Sequence, residues 1–228
     1  IIAKRKHYPF FFVGGFYVPG ELLRSMTLKG MPLLVNEVIW SGGMSALSIA
    51  FSLHGLSVVA AYSISSTVSN LFSVAFMALG VAIGIVAGQN LGAKDYEKAE
   101  ENVRKFMVFS FAVSVVIGTV MFILGPFFTR FYNTGETEKE LAAYLIRVWA
   151  LVMPLHALTN ASYFTLRSGG KTVITFIFDS GSVWIFMVPI AFALFYFTDL
   201  SIYFVYPIVM GLEILKVIVG LTLVIKKD

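Results

Sequence analysis

Six apolar stretches, about 30–53, 57–91, 104–127, 140–167, 172–198 and 201–225, run through the 228-residue sequence and leave little between them. Each is long enough, at about 1.5 Å per residue, to cross a hydrocarbon core of about 30 Å as a helix. Lipid offers the backbone no hydrogen-bond partners, so a spanning segment satisfies its own by coiling. The second stretch is long enough to tilt or project beyond the lipid. Hydrophobic residues make up 58% of the chain and charged ones 13%, with a mean hydropathy of +0.84, which separates it from soluble domains. The expected fold is all-α: a polytopic membrane protein with a six-transmembrane-helix bundle over 30–228 and a connector over 1–29.

The sequence has 17 basic and 13 acidic residues and a pI near 9.2, so the placement of charge decides what the basicity means. Threading the six stretches puts Lys4, Arg5, Lys6, Arg24, Lys29, Lys94, Lys98, Arg104, Lys105, Arg167, Lys171, Lys226 and Lys227 on one side, 13 of the 17. Arg130 and Lys139 fall on the other, while Arg147 and Lys216 lie within spans. Basic residues concentrate on the cytoplasmic face of membrane proteins, so both termini are expected in the cytoplasm and nucleic acid is not an expected partner. With no Cys, disulfides, zinc–thiolate sites and thiol nucleophiles are excluded. The opening "IIAKRKHYPF" has its charges after its apolar residues, the reverse of a cleavable signal, and Ile1–Ala3 read as the stub of an earlier helix. "GELLRSMTLKG" (20–30) alternates apolar and basic residues as a segment lying on the inner membrane surface does.

Within the spans, small residues mark where helices approach. Gly80, Gly84 and Gly88 form a four-residue stripe suited to close packing in lipid, and Gly42–Gly43 mark a bend or contact on the first span. Ser63, Ser66, Asn70 and Ser73 share one face of the second helix, either knitting helices together or lining a water-filled cavity. Pro32 is expected at the start of the first span, and Pro154, Pro189 and Pro207 inside later ones. Each internal proline frees a carbonyl that protein or cavity water must satisfy. In the loop "AGQNLGAKDYEKAEENVRK" (87–105), Gly92 suits a left-handed helix end and Asp95 a cap. Glu100–Arg104 and Glu101–Lys105 follow as i, i+4 pairs, and Thr137 with Glu140 read as a capping box before the fourth span.

Enzyme signatures are missing: the sequence holds no HExxH, GxSxG, P-loop or GxGxxG. Its three histidines, at 7, 54 and 156, are too scattered to suggest a metal site, so neither an enzyme nor a bound metal or cofactor is expected. What stands out is ionisable groups at membrane depth, each costing about 2.5–3.5 kcal/mol unless paired or neutral. Glu213 lies near the midplane with Lys216 at i+3 as its expected partner, and Asp179 lies about 10 Å into the fifth span, suited to binding a neighbouring helix. His156 shares a face with Asn160, Tyr163 and Arg167, and an imidazole changes charge near neutrality. Arg147 is close enough to the outer surface to snorkel. Glu37, about 12 Å in from Lys29, has no basic partner within a turn of its own helix. It reads as a neutral acid bonded to a neighbouring helix, as a partner of Lys216 or Arg147, or as an acid that gives up its proton to an arriving cation.

"GQNLGAKDYEKA" (88–99), "RSGGKT" (167–172) and "PLLVNEVIWSGGMSALS" (32–48), in their order along the chain, give the sequence a family likeness. It resembles the C-terminal half of a bacterial multidrug and toxic compound extrusion (MATE) transporter. The resemblance implies one six-helix lobe of a two-lobe transporter in the bacterial inner membrane, with the other, N-terminal lobe as its partner. It implies an antiporter exporting small organic cations in exchange for protons or sodium ions, and Glu37 as the family's acid on the first span. Relatives place an acid eleven residues before the position of Arg167, where this chain has His156, which permits proton coupling through imidazole. Substrate- or ion-binding residues are then expected among Glu37, His156, Asn70, Asn160, Asp179 and Glu213, with Trp40, Tyr62 and Tyr163 offering aromatic faces to a cation. A lipid or lipid-linked oligosaccharide flippase of related architecture would need more basic groups at depth. A non-transporting membrane scaffold would need Glu37 and Glu213 fully paired.

Overall fold

A computed structural model describes residues 19–170 and 172–225. Residues 1–18 of the expected connector, Lys171, Lys226 and Lys227 lie outside the described residues. Six helical spans follow one another with short turns between them. They are α1 (Gly20–Ser52), α2 (Leu56–Gly92), α3 (Tyr96–Phe128) and α4 (Glu136–Ser168), then an interrupted fifth and an interrupted sixth span. The fifth runs from α5 (Thr172–Phe176) through two π-helical turns, Ile177–Gly181 and Val183–Met187, into α6 (Val188–Phe197). The sixth is α7 (Ile202–Gly211) and α8 (Glu213–Ile225), broken at Leu212. All six are long and apolar enough to cross a membrane.

The expected surface segment is not separate: α1 continues from Gly20 through Gly30, with Pro32 inside it. Its exposed Leu22, Leu23, Met26 and Leu28 make the first turns apolar on several sides.

The fourth span is the axis of the bundle, packed against α2, α3 and α8. The glycine stripe works as its spacing suggests. A Cβ on Gly80 would collide with Asn160 and Phe164 of α4, and one on Gly84 would sit 3.3 Å from Phe164. Proline shapes the same interface. Pro154 has no N–H to offer the carbonyl of Ala150, four residues back. That carbonyl instead faces the bare Cα of Gly118 on α3, where a Cβ would come within 2.8 Å of its oxygen. A C–H···O contact of this kind relieves a freed carbonyl that lipid cannot. Gly118→Ala is therefore expected to push α3 and α4 apart and cost about 2 kcal/mol, read from thermal unfolding in detergent. Pro207 repeats the device: its missing N–H frees the carbonyl of Tyr203, and the Tyr144 hydroxyl of α4 donates to it at 2.7 Å.

Two turns differ from expectation. Gly92 is the last residue of α2, and the left-handed position falls on Lys94 at φ 60°. Lys94 N donates to Leu91 O and Asp95 N to Asn90 O, each at 3.0 Å, which is the paired bonding of a Schellman end. One residue of register separates the two readings. Lys94→Gly removes the Cβ penalty of the left-handed conformation and is expected to stabilise the fold by about 1 kcal/mol in thermal unfolding. Asp95 does cap α3, accepting from Lys98 N at 3.3 Å, and the Lys98 ammonium at 2.7 Å holds its carboxyl below the usual aspartate range. The expected Glu101–Lys105 pair is formed at 2.6 Å. Before α4, the N-cap is Gly135 and Thr137 is already helical, so the capping box is not made. Glu138 instead accepts from Ser57 Oγ at 2.7 Å, tying the start of α4 to the start of α2.

Candidate ion-binding site

On a helix, neighbouring residues point about 100° apart, and Asn36 and Glu37 of α1 use that difference. Asn36 turns inward and is 3% exposed, while Glu37 faces the open side of the bundle. The burial expected of Glu37 is thus not found within this chain.

The Asn36 amide is the hub. Its Nδ2 donates to Asp179 Oδ2 at 3.1 Å and to Tyr163 Oη at 3.4 Å. Its Oδ1 and its backbone carbonyl both accept from Ser180 Oγ, at 2.7 and 2.9 Å. Tyr163 of α4 passes the connection on, donating its hydroxyl to Glu37 Oε1 at 3.1 Å. Asp179 and Ser180 are adjacent on the first π turn, whose wider coil brings both against the same face of α1. Lower on that contact, a Cβ on Gly43 would lie 2.7 Å from Val183, and the indole of Trp184 donates to the carbonyl of Ile39 at 2.9 Å. The Gly42–Gly43 step is a close-packing point, as the sequence suggests.

A second group lies beside the first. Glu213 opens α8 and is 1% exposed. The sequence pairs it with Lys216, but the structure pairs it with His156 of α4, whose Nδ1 lies 3.4 Å from Glu213 Oε1. The imidazole stacks on Trp149, with ring centres 4.2 Å apart. Lys216 turns instead to the fifth span, its Nζ 4.0 Å from Asp179 Oδ1. The i, i+3 spacing permits the internal pair, but the partners supplied by neighbouring helices win. Three carboxylates, Glu37, Asp179 and Glu213, thus face one ammonium and one imidazole within a single polar cluster.

Four of the six sequence-selected residues, Glu37, His156, Asp179 and Glu213, belong to this cluster. Asn160 does not join it: its side chain lies against Gly80 at the α2–α4 contact. Asn70 sits on an exposed face of α2 with no hydrogen bond to any described residue, and it is Ser65, Ser69 and Ser73 that are buried. Sequence reasoning missed Asn36 and Ser180. Each is a polar neighbour of a selected acid, and that adjacency in an apolar stretch was the available signal. Among the described residues no three His, Cys, Asp or Glu converge as a metal site.

A cavity of about 600 Å³ lies elsewhere, at the basic end between α2, α3, α4 and α8, walled by Ala87, Val103, Met107, Phe111 and Leu221. None of the clustered acids lines it.

The MatE family model matches residues 32–193, which span α1 to the middle of α6. The chain belongs to the MATE family. It is 22% identical over 184 residues to the probable multidrug resistance protein YoeA of Bacillus subtilis (strain 168), and 21% identical over 174 residues to the probable multidrug resistance protein NorM of Thermotoga maritima. These alignments cover 80% and 76% of the chain but only 39% and 37% of the two relatives. A multidrug resistance MATE family transporter of the MOP superfamily, solved in an outward-facing conformation, superposes with a TM-score of 0.82 at 18% identity. The match takes in 97% of this chain and 50% of that one. The MATE fold is thus present as one six-helix half. The chain is a multi-pass membrane protein of a transporter family, not of an enzyme family.

Proposed function

We propose that this chain forms the C-terminal lobe of a secondary antiporter that exports small organic cations in exchange for protons or sodium ions. Glu37 is its principal coupling acid and His156 an auxiliary one. The observation that carries this reading is the situation of Glu37. It is oriented by a hydrogen bond from Tyr163 yet has no basic group within ion-pair distance among the described residues. An acid fixed in direction but not neutralised is available to a travelling cation and to the ion exchanged for it. Coupling needs the two to compete for one acid, so that binding of either displaces the other.

Glu37 lies on the open face of the lobe, and a second six-helix lobe would close over it to form the central cleft. Alternating exposure of such a cleft is the general logic of transporters built from repeats. Thirteen basic residues on one side support a cytoplasmic position for the ends of this segment, in the bacterial inner membrane. Tyr163 and Trp40 stand near enough to Glu37 in sequence or space to offer aromatic faces to an organic cation.

The flippase reading has less support. It asks for a basic cradle at depth, whereas Lys216 is a single ammonium facing Asp179 and Arg147 is exposed beside the ring of Phe122. The scaffold reading asks for paired acids, which fits Glu213 but not Glu37. Reconstitution of the full-length protein in proteoliposomes, loaded with a fluorescent lipophilic cation and given either a proton or a sodium gradient, tests the proposal. Movement of the dye driven by one gradient is the expected result, and movement indifferent to both overturns it.

A further inference from the structure

The polar cluster contains a cation of its own. The Lys216 side chain is only 10% exposed, and its ammonium sits 4.0 Å from Asp179 Oδ1 and 5.9 Å from the centre of the Phe178 ring. A tight charge-assisted contact between nitrogen and oxygen is about 2.7–2.9 Å, so this one is loose. The two oxygens of Asp179 are treated differently. Oδ2 is held at 3.1 Å by the buried amide of Asn36, whereas Oδ1, among the described residues, faces a compact charge on a flexible four-carbon stem. Both partners stand on interrupted helices, Asp179 on a π turn and Lys216 in the first turn after the break at Leu212. Two other acids lie near Lys216: Glu213, one turn back on α8, which contacts His156 and also interacts electrostatically with Lys216, and Glu37, which accepts from the Tyr163 hydroxyl.

We propose that Lys216 is a tethered competitor of the transported cation, its ammonium occupying Asp179 while the site is empty and withdrawing when a cation arrives. The inference rests on the cation-antiport reading and adds a selectivity device to it. An aspartate at membrane depth is costly when unpaired, so a fixed lysine gives Asp179 a counter-charge while the site is empty. A neutral or anionic molecule offers Asp179 nothing in exchange for the ammonium and is refused. The device also lowers apparent affinity. A site that is competent only when its lysine is away binds more weakly in proportion to the competent fraction.

Calorimetric titration of tetraphenylphosphonium into the purified full-length protein tests the proposal. Lys216→Met is expected to lower the dissociation constant about tenfold, as for a site that is nine-tenths self-occupied. The double substitution Asp179→Asn with Lys216→Met is expected to abolish that gain, and Lys216→Arg, which restores a fixed positive charge, to return affinity toward the parent's. Unchanged or weaker binding by a folded Lys216→Met protein overturns the proposal. A second measurement needs no substitution: amine-reactive labelling of Lys216, followed by mass spectrometry, is expected to rise when tetraphenylphosphonium is added. Constant or reduced labelling overturns the proposal on its own. A parent protein with no affinity for tetraphenylphosphonium removes the transport reading, and this inference with it, whereas binding without either Lys216 effect removes the inference alone.

Discussion

Replacing Glu37 with Gln is expected to lower gradient-driven export of a lipophilic cation by about 10- to 100-fold. The range follows from the loss of one charge-assisted interaction, worth about 1.5–3 kcal/mol, at the step where substrate and coupling ion exchange. Glutamine keeps the length of the side chain and still accepts from the Tyr163 hydroxyl, which now stands 3.1 Å from Glu37 Oε1. Packing is therefore preserved and thermal stability is expected to change little. This separates a coupling role from a structural one. Transport in proteoliposomes should fall while the unfolding midpoint stays within a degree or two, and retained export would remove Glu37 from the mechanism. Exchange of substrate against substrate, with no gradient imposed, should fall as well, because both partners use the same carboxylate.

The second large effect is expected at Asn36. Asn36→Leu matches the volume but deletes the donor to Asp179 Oδ2 and the acceptor for Ser180 Oγ, at a position only 3% exposed. A buried polar group left without its partner costs about 1–3 kcal/mol, the upper end applying to a charged one, and Asp179 Oδ2 is stranded here, so a destabilisation of about 3 kcal/mol is expected. Ser180 is not stranded, because it retains its bond to the residue-36 backbone carbonyl; Ser180→Ala leaves only the neutral Oδ1 of Asn36 without its donor and should cost less than the change at Asn36. Thermal unfolding of the two variants in the same detergent checks the order. Equal effects would mean that Asp179 does not depend on the amide. Export should also suffer in Asn36→Leu, since Asp179 loses the contact that aims one oxygen away from Lys216.

Much of the architecture was legible because membranes impose a simple rule. A stretch of about 20 apolar residues has one way to cross lipid, and the six predicted spans lie close to the six observed helices. Ionisable residues at depth were equally conspicuous, which is why Glu37, His156, Asp179 and Glu213 could be picked out. Their partners could not. Lys216 satisfies the spacing rule for Glu213, yet which of two carboxylates it reaches depends on how α8 is rotated against α4 and the fifth span, and periodicity carries no such information. Asn36 and Ser180 escaped for a related reason: they sit beside the selected acids, and only helix rotation reveals which member of each pair faces inward. The π turns were also unreadable, because "IFDSGSVWIFM" contains no proline and has the composition of an ordinary spanning helix. Asn70 is the converse case, a polar residue selected by its face that the packing leaves outside the cluster.

The pattern of interhelical bonds has a mechanical consequence. Trp184 to Ile39 and Ser180 to Asn36 lash the fifth span to α1, while Tyr144 to Tyr203 and His156 to Glu213 lash both segments of the sixth span to α4. The lobe is thus stitched as two sheaves, and Asn36–Tyr163, Tyr163–Glu37 and Lys216–Asp179 cross the seam between them. Any slip of one sheaf along the other lengthens or shortens those three contacts, so the charges at the seam register the displacement.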